Sequence, residues 1–231
     1  MYVQKADEEF GETTKLLLVD ATPNIRSGFI KKVYGLVGVQ LLITFGWMLS
    51  VSSNVALASF VVDHPSMNMA FAFSGLILMC PLIAFREKHP YNILLLLGFT
   101  ICEAYLIGGV SAVYALQAQT HLVIVSLGLT VLIFGVLSAY VHVTKRDLTF
   151  LESWLSIGLL VLVGMGLMMA FFPFSYATQV LLAGLGIALF SGYILYDTST
   201  MIHYMTPDDA IVAAVQLYLD ILNLFLCLLH E

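Results

Sequence analysis

Two aspartates stand inside runs that otherwise read as membrane-spanning helix: Asp197 in GLGIALFSGYILYDTSTMIHYM and Asp220 in AIVAAVQLYLDILNLFLCLL. A carboxylate at mid-bilayer costs about 2.5–3.5 kcal/mol on insertion scales, so it persists only where it is paired, protonated or lining water. Asp220 lies thirteen residues after Pro207 and Asp197 eight residues before Met205, about 20 Å and 12 Å at the helical rise. The offset of about 8 Å is within what helix tilt absorbs, so the two carboxyls are expected to meet across an antiparallel hairpin. In a low dielectric, two adjacent carboxylates resist double ionisation and share one proton. That makes the pair a candidate pH sensor and a weak, transient Ca²⁺ site in an ion path, since two carboxylates supply few of the six to eight oxygens that Ca²⁺ takes. The alternative is that each is singly protonated or satisfied by a nearby hydroxyl of Tyr196, Thr198 or Tyr218.

Other polar residues in or beside apolar runs bear on the same site. Arg86 follows the second run on the side toward which both aspartates open, and it either reaches inward to one of them or anchors the helix end. Glu103, in FTICEAYLIG, either lines the ion path or is a protonated packing residue. His142 reads as a span-end polar group, and Asn223 as an interhelical hydrogen-bond donor. The three cysteines all fall in apolar runs, and no His/Cys cluster has metal-ligand spacing, so neither a disulfide framework nor a resident metal is expected.

The elements that hold these residues are membrane helices. Of 231 residues, 60% are hydrophobic and 10% charged, with a mean hydropathy of +0.96, against about 25% charged in soluble domains. Seven runs are long enough to cross about 30 Å of hydrocarbon: approximately Val33 to Val51, Asn68 to Phe85, Tyr91 to Val113, His121 to His142, Trp154 to Phe172, Thr178 to Met201 and Ala210 to Leu229. Residues 1–28 read as a mobile tail and 29–231 as one transmembrane domain. The net charge of -6 and the absence of a basic stretch argue against a nucleic-acid partner; the lipid bilayer is the partner that composition demands.

Lysine and arginine occur only in the head and in two alternate loops: Arg26, Lys31 and Lys32 before the first run, Arg86 and Lys88 after the second, Lys145 and Arg146 after the fourth. The positive-inside rule places these segments, and the N-terminus, in the cytosol. A full crossing by the seventh run puts the C-terminus on the opposite side, and a re-entrant one returns it. Thr206-Pro207-Asp208-Asp209 has the composition of a helix start, and Thr149 with Glu152 has capping-box spacing. Gly184, Ala188 and Gly192 form a small-residue stripe that admits a close helix neighbour and sets the sixth run, with Asp197, in the bundle interior.

ALFSGYILYDTSTMIH followed by LYLDILNLFLCLL resembles the C-terminal signature of the Bax inhibitor-1 family, also called the transmembrane Bax inhibitor motif family. FIKKVYGLVGVQLLIT and KHPYNILLLLGFTICEA are similar to its lifeguard branch, so the resemblance spans Phe29 to Leu229. It implies an all-α fold of seven transmembrane helices, six packed around a central last one. It also implies a pH-sensitive calcium leak of Golgi or endoplasmic reticulum membranes that restrains apoptosis, with Ca²⁺ as permeant ion, H⁺ as regulator and no cofactor. Asp197 and Asp220 match the family's sensor aspartates, and Arg86 is the candidate for an arginine that latches one of them in the closed state.

Three other functions compete. An intramembrane aspartyl protease would use two such carboxylates, but Leu217-Tyr218-Leu219-Asp220 lacks the Gly-x-Gly-Asp of those enzymes and no Pro-Ala-Leu follows, so no enzyme is expected. A proton-coupled transporter would use the pair as proton carriers. A non-conducting regulator would act by binding death-pathway proteins or other calcium channels.

Overall fold

A computed structural model describes residues 17–230. Among them there is no strand, and seven helices are long and apolar enough to cross a membrane, as the sequence predicts. With no water to satisfy backbone groups in hydrocarbon, continuous helix is the form such runs must take. The helices are α1 (Pro23–Ser53), α2 (Val55–Asp63), α3 (Pro65–Ala84), α4 (Tyr91–Leu116), α5 (Thr120–Thr144), α6 (Glu152–Phe171), α7 (Tyr176–His203) and α8 (Ala210–His230).

The last helix organises the bundle. α8 packs against α7, α1, α5 and α4, while α3 packs chiefly on α4, and α6 on α7. Its buried residues include Ala213, Ala214, Leu217, Tyr218, Asp220, Ile221, Leu224 and Phe225. By contrast α6 buries only Leu155 among its described side chains and turns Leu160 and Phe171 outward, at 74% and 80% exposure. A helix with so little buried surface is placed for contact with lipid tails.

Several local expectations are corrected. α1 begins at Pro23, whose fixed φ suits a first helical position, so the boundary expected at residue 28 falls inside a helix. Leu18 is fully buried and its N–H donates to the Met205 carbonyl at 2.9 Å; residues 1–16 of the expected tail lie outside the described residues. The unexpected α2 starts at Asn54, whose side chain accepts from the N–H groups of Ala56 and Leu57. The Thr149–Glu152 capping box does not form, because Asp147 accepts both the Thr149 N–H and its hydroxyl, at 2.9 and 2.7 Å. Ahead of α8 the predicted chemistry is present: Asp209 Oδ2 accepts from the Thr206 hydroxyl and N–H at 2.7 and 3.0 Å.

The small-residue stripe faces elsewhere than expected. A Cβ built on Gly192 would meet the Leu155 side chain of α6 at 2.7 Å, and Ala188 is exposed. The side of α7 turned inward instead carries Ala183, Gly186, Phe190, Ile194, Asp197 and Met201, and the close approach to α8 is made at Gly186, where a Cβ would lie 2.5 Å from Cys227 Sγ. Gly186→Ala gains about 1 kcal/mol of helix propensity, but overpacking against the short Cys227 side chain costs about 1–3 kcal/mol. The single variant should melt below the parent in detergent, and Cys227→Ala should restore it; additive effects in that double-mutant cycle would refute the contact.

The loop between α5 and α6 is stapled to the end of α7. Tyr204 Oη donates to Asp147 Oδ2 at 2.6 Å, and Ser199 Oγ accepts from the Leu148 N–H while donating to the Arg146 carbonyl. Donation from Tyr204, then from Thr149, holds the Asp147 carboxyl down to about 2. A depressed carboxyl contributes stability that is present above its ordinary value near 3.8 and lost as pH falls through about 2. Asp147→Asn should therefore leave any pH response between about 5 and 8 unchanged, and an NMR titration of Asp147 with an inflection above pH 4 would contradict the staple.

Candidate functional site

Asp197 and Asp220 come together. One projects from α7 and the other from α8, they are 5% and 6% exposed, and their side chains are within hydrogen-bonding reach of each other. The expected depth offset is absorbed at the turn. Asp197 lies six residues before the end of α7 and Asp220 ten residues after the start of α8, about 9 and 15 Å, and the connection Tyr204 to Asp209, with its single 3-10 turn Pro207–Asp209, takes up the difference.

Among the described residues neither carboxyl has a basic partner, and Asp220 Oδ2 is buried with no hydrogen-bond partner. Removing one member of an ordinary buried ion pair would leave a similar uncompensated group; here the second member is another acid. The local hydroxyls weighed from sequence do not replace it. Tyr218 points away, its hydroxyl 2.7 Å from Thr44 Oγ1, and Thr198 Oγ1 is itself buried without a partner.

Arg86 stands at the rim. Its Nη1 is 3.5 Å from Asp209 Oδ1 and its Nε 3.9 Å from Glu87 Oε1, with the side chain 38% exposed. The guanidinium thus meets the first turn of the last helix, eleven residues before Asp220, about 16 Å along the axis, and not the buried pair. Asp209, read from sequence as a helix starter, is that and an ion-pair partner together.

Glu103 is half-buried on α4 and directed at α3, where its Oε1 lies 3.2 Å from the position a Cβ on Gly75 would take. The missing side chain at Gly75 makes room for the carboxylate. Its charge bears on Tyr218 of α8, which is part of a second polar group. There Thr44 Oγ1 donates to the Gln40 carbonyl, Gln40 Nε2 donates to Thr100 Oγ1 at 3.1 Å, and Gln40 Oε1 is left without a partner. This chain ties α8 to α1 and α4. Sequence reasoning missed it, although a glutamine within the apolar run of α1 is a readable signal.

A third polar cluster lies toward the end of the bundle that carries the basic residues. Tyr34 Oη and His142 Nε2 are 2.9 Å apart, and the hydroxyls of Ser138 and Thr198 lie near Tyr34. His142 is therefore bridged to α1 and is not an isolated span-end group. Asn223 is corrected: its Nδ2 donates to the Leu219 carbonyl of its own helix at 2.9 Å and bridges no neighbour. Among the described residues no group of three or more His, Cys, Asp or Glu could hold a metal ion, so the pair offers a cation two carboxylates and no third acidic, histidine or cysteine side chain.

A family model described as "Inhibitor of apoptosis-promoting Bax1" matches residues 26–230, which includes every residue of this site. The chain is 35% identical to mouse (Mus musculus) protein lifeguard 4, over 92% of its own length and 87% of that protein's. It is 33% identical to the Golgi anti-apoptotic protein of Vaccinia virus (strain Lister), over 92% and 88%, and 34% identical to LIFEGUARD 2 of Arabidopsis thaliana, over 99% and 97%. With the seven-helix bundle and the two buried aspartates of its last hairpin, the chain belongs to the Bax inhibitor-1 family, among its lifeguard members.

Proposed function

We propose that the chain is a pH-sensitive cation leak of an intracellular membrane, passing Ca²⁺ and thereby restraining cell death. The observation that carries the reading is the buried contact of Asp197 with Asp220, without a basic partner, between the last two helices. Full ionisation sets two like charges in contact, a repulsion of about 4 kcal/mol at 4 Å and an effective dielectric of 20. A single shared proton relieves it, and loss of that proton turns the pair into a cation attractor. Two carboxylates alone bind Ca²⁺ weakly, which suits passage better than storage.

The anti-apoptotic role draws its support from the relatives, one of which is named for that activity, and the same name supports a Golgi membrane. The cytosolic orientation of the N-terminus rests on the gathering of the basic residues at one end of the bundle. In this arrangement Arg86 holds the start of α8 at Asp209, so a change in the charge of the pair acts on the ion directly and need not pass through the arginine.

The test uses the purified full chain in liposomes loaded with a calcium dye, at pH values from about 6 to 8. Asp197→Asn and Asp220→Asn together should abolish the pH dependence and lower the flux about tenfold, the factor that about 1.4 kcal/mol of cation attraction supplies. Flux and pH dependence equal to the parent's would refute the sensor. Absence of any leak in the parent, with cell protection intact, would favour a non-conducting regulator, and flux that requires a co-substrate would favour a proton-coupled transporter.

A further inference from the structure

Away from the aspartate pair, at the end of the bundle that carries the basic residues, a cavity of about 500 Å³ opens between the start of α1, the end of α5 and the end of α7. Its walls carry Arg26 and Lys31 from α1 and His142 and Lys145 from α5, over an apolar floor of Ile30 and Ile202. Among the described residues no acidic side chain lines it, and none of Arg26, Lys31 and Lys145 has a carboxylate partner. The volume lies within the range of about 300–1,000 Å³ typical of small-molecule sites. Three cations facing one space repel one another unless an anion occupies it, so the arrangement is complementary to a compact ligand of charge about -2 or more.

The position narrows the ligand further. Lys145 is the residue that ends α5, in the left-handed region at φ 51°, where glycine is the usual occupant; a long cationic side chain is placed there in spite of the backbone cost, and it lines the cavity. A ligand at this height has charge beside the cations and the hydrocarbon of the bilayer alongside. Basic pockets between helices at the membrane boundary are the known chemistry of phosphorylated lipid headgroups.

We infer that this cavity binds the headgroup of a phosphorylated phosphatidylinositol from the adjoining leaflet, with Arg26, Lys31 and Lys145 on its phosphates and the acyl chains in the bilayer. The site is separate from the aspartate pair and does not depend on the leak. In detergent micelles of phosphatidylcholine, the full chain is titrated with fluorescent monophosphorylated phosphatidylinositol. Saturable binding of one lipid per chain is expected. Arg26→Gln with Lys145→Gln should weaken it about tenfold or more, whereas Lys32→Gln with Lys88→Gln, which removes the same charge outside the cavity, should change it less than about twofold. The charge-keeping pair Arg26→Lys with Lys145→Arg should retain most of the affinity and guards against a folding defect. Equal weakening by both glutamine pairs would reduce the effect to general surface attraction and overturn the site. Binding no tighter than that of unphosphorylated phosphatidylinositol, or soluble inositol phosphate binding as tightly as the lipid, would overturn it too.

Discussion

The burial of two acids against each other is the constraint to which the rest of the bundle answers. A carboxyl removed from water costs several kcal/mol unless its environment compensates it, and at Asp197 and Asp220 the ionisable neighbour is the other acid. That requires α7 and α8 to run closely side by side for several turns, which Gly186 permits opposite Cys227. It also requires α8 to be shielded on its other sides, which α1, α4 and α5 accomplish. The outer helices α3 and α6 then need only present apolar surface to lipid, and their few buried residues, Gly75 and Leu82 on α3 and Leu155 on α6, follow from that position.

α8 carries polar groups on two sides. Asp220 turns to α7, while Tyr218, two residues earlier and so about 200° around the helix, turns to Thr44 and Gln40. In hydrocarbon each such group must be answered by a neighbour, so the two sides together fix the rotation of α8 more firmly than apolar packing alone would. The polar chain on the Tyr218 side is satisfied except at Gln40 Oε1, whereas the Asp220 side keeps an unpartnered carboxyl oxygen. Rigidity is thus concentrated on one side of α8 and latent charge on the other.

The seven spans, the all-helical class and the meeting of Asp197 with Asp220 were legible in the sequence because each depends on a quantity that counting supplies: run length against bilayer thickness, and depth from a shared turn. The Thr206 helix start was legible because capping is local. Partners chosen in three dimensions were not. Arg86 goes to Asp209, Asn223 bonds within its own helix, and Glu103 faces Gly75, because each follows from helix rotation, which nearly uniform hydrophobicity around a membrane helix conceals. The stripe at Gly184, Ala188 and Gly192 misled for the same reason: small residues admit a neighbour without saying which, and the neighbour is α6. The early start of α1 was hidden because its first turns are polar, and helix continues past the apolar boundary wherever backbone bonds permit.

Asp209 divides its two oxygens between two tasks. Oδ2 closes the cap on Thr206, and Oδ1 faces Arg86. The first is a local bond that sets where α8 begins; the second reaches to the chain just beyond α3. The α3–α4 connection and the start of the helix that bears Asp220 are therefore joined through a single carboxylate.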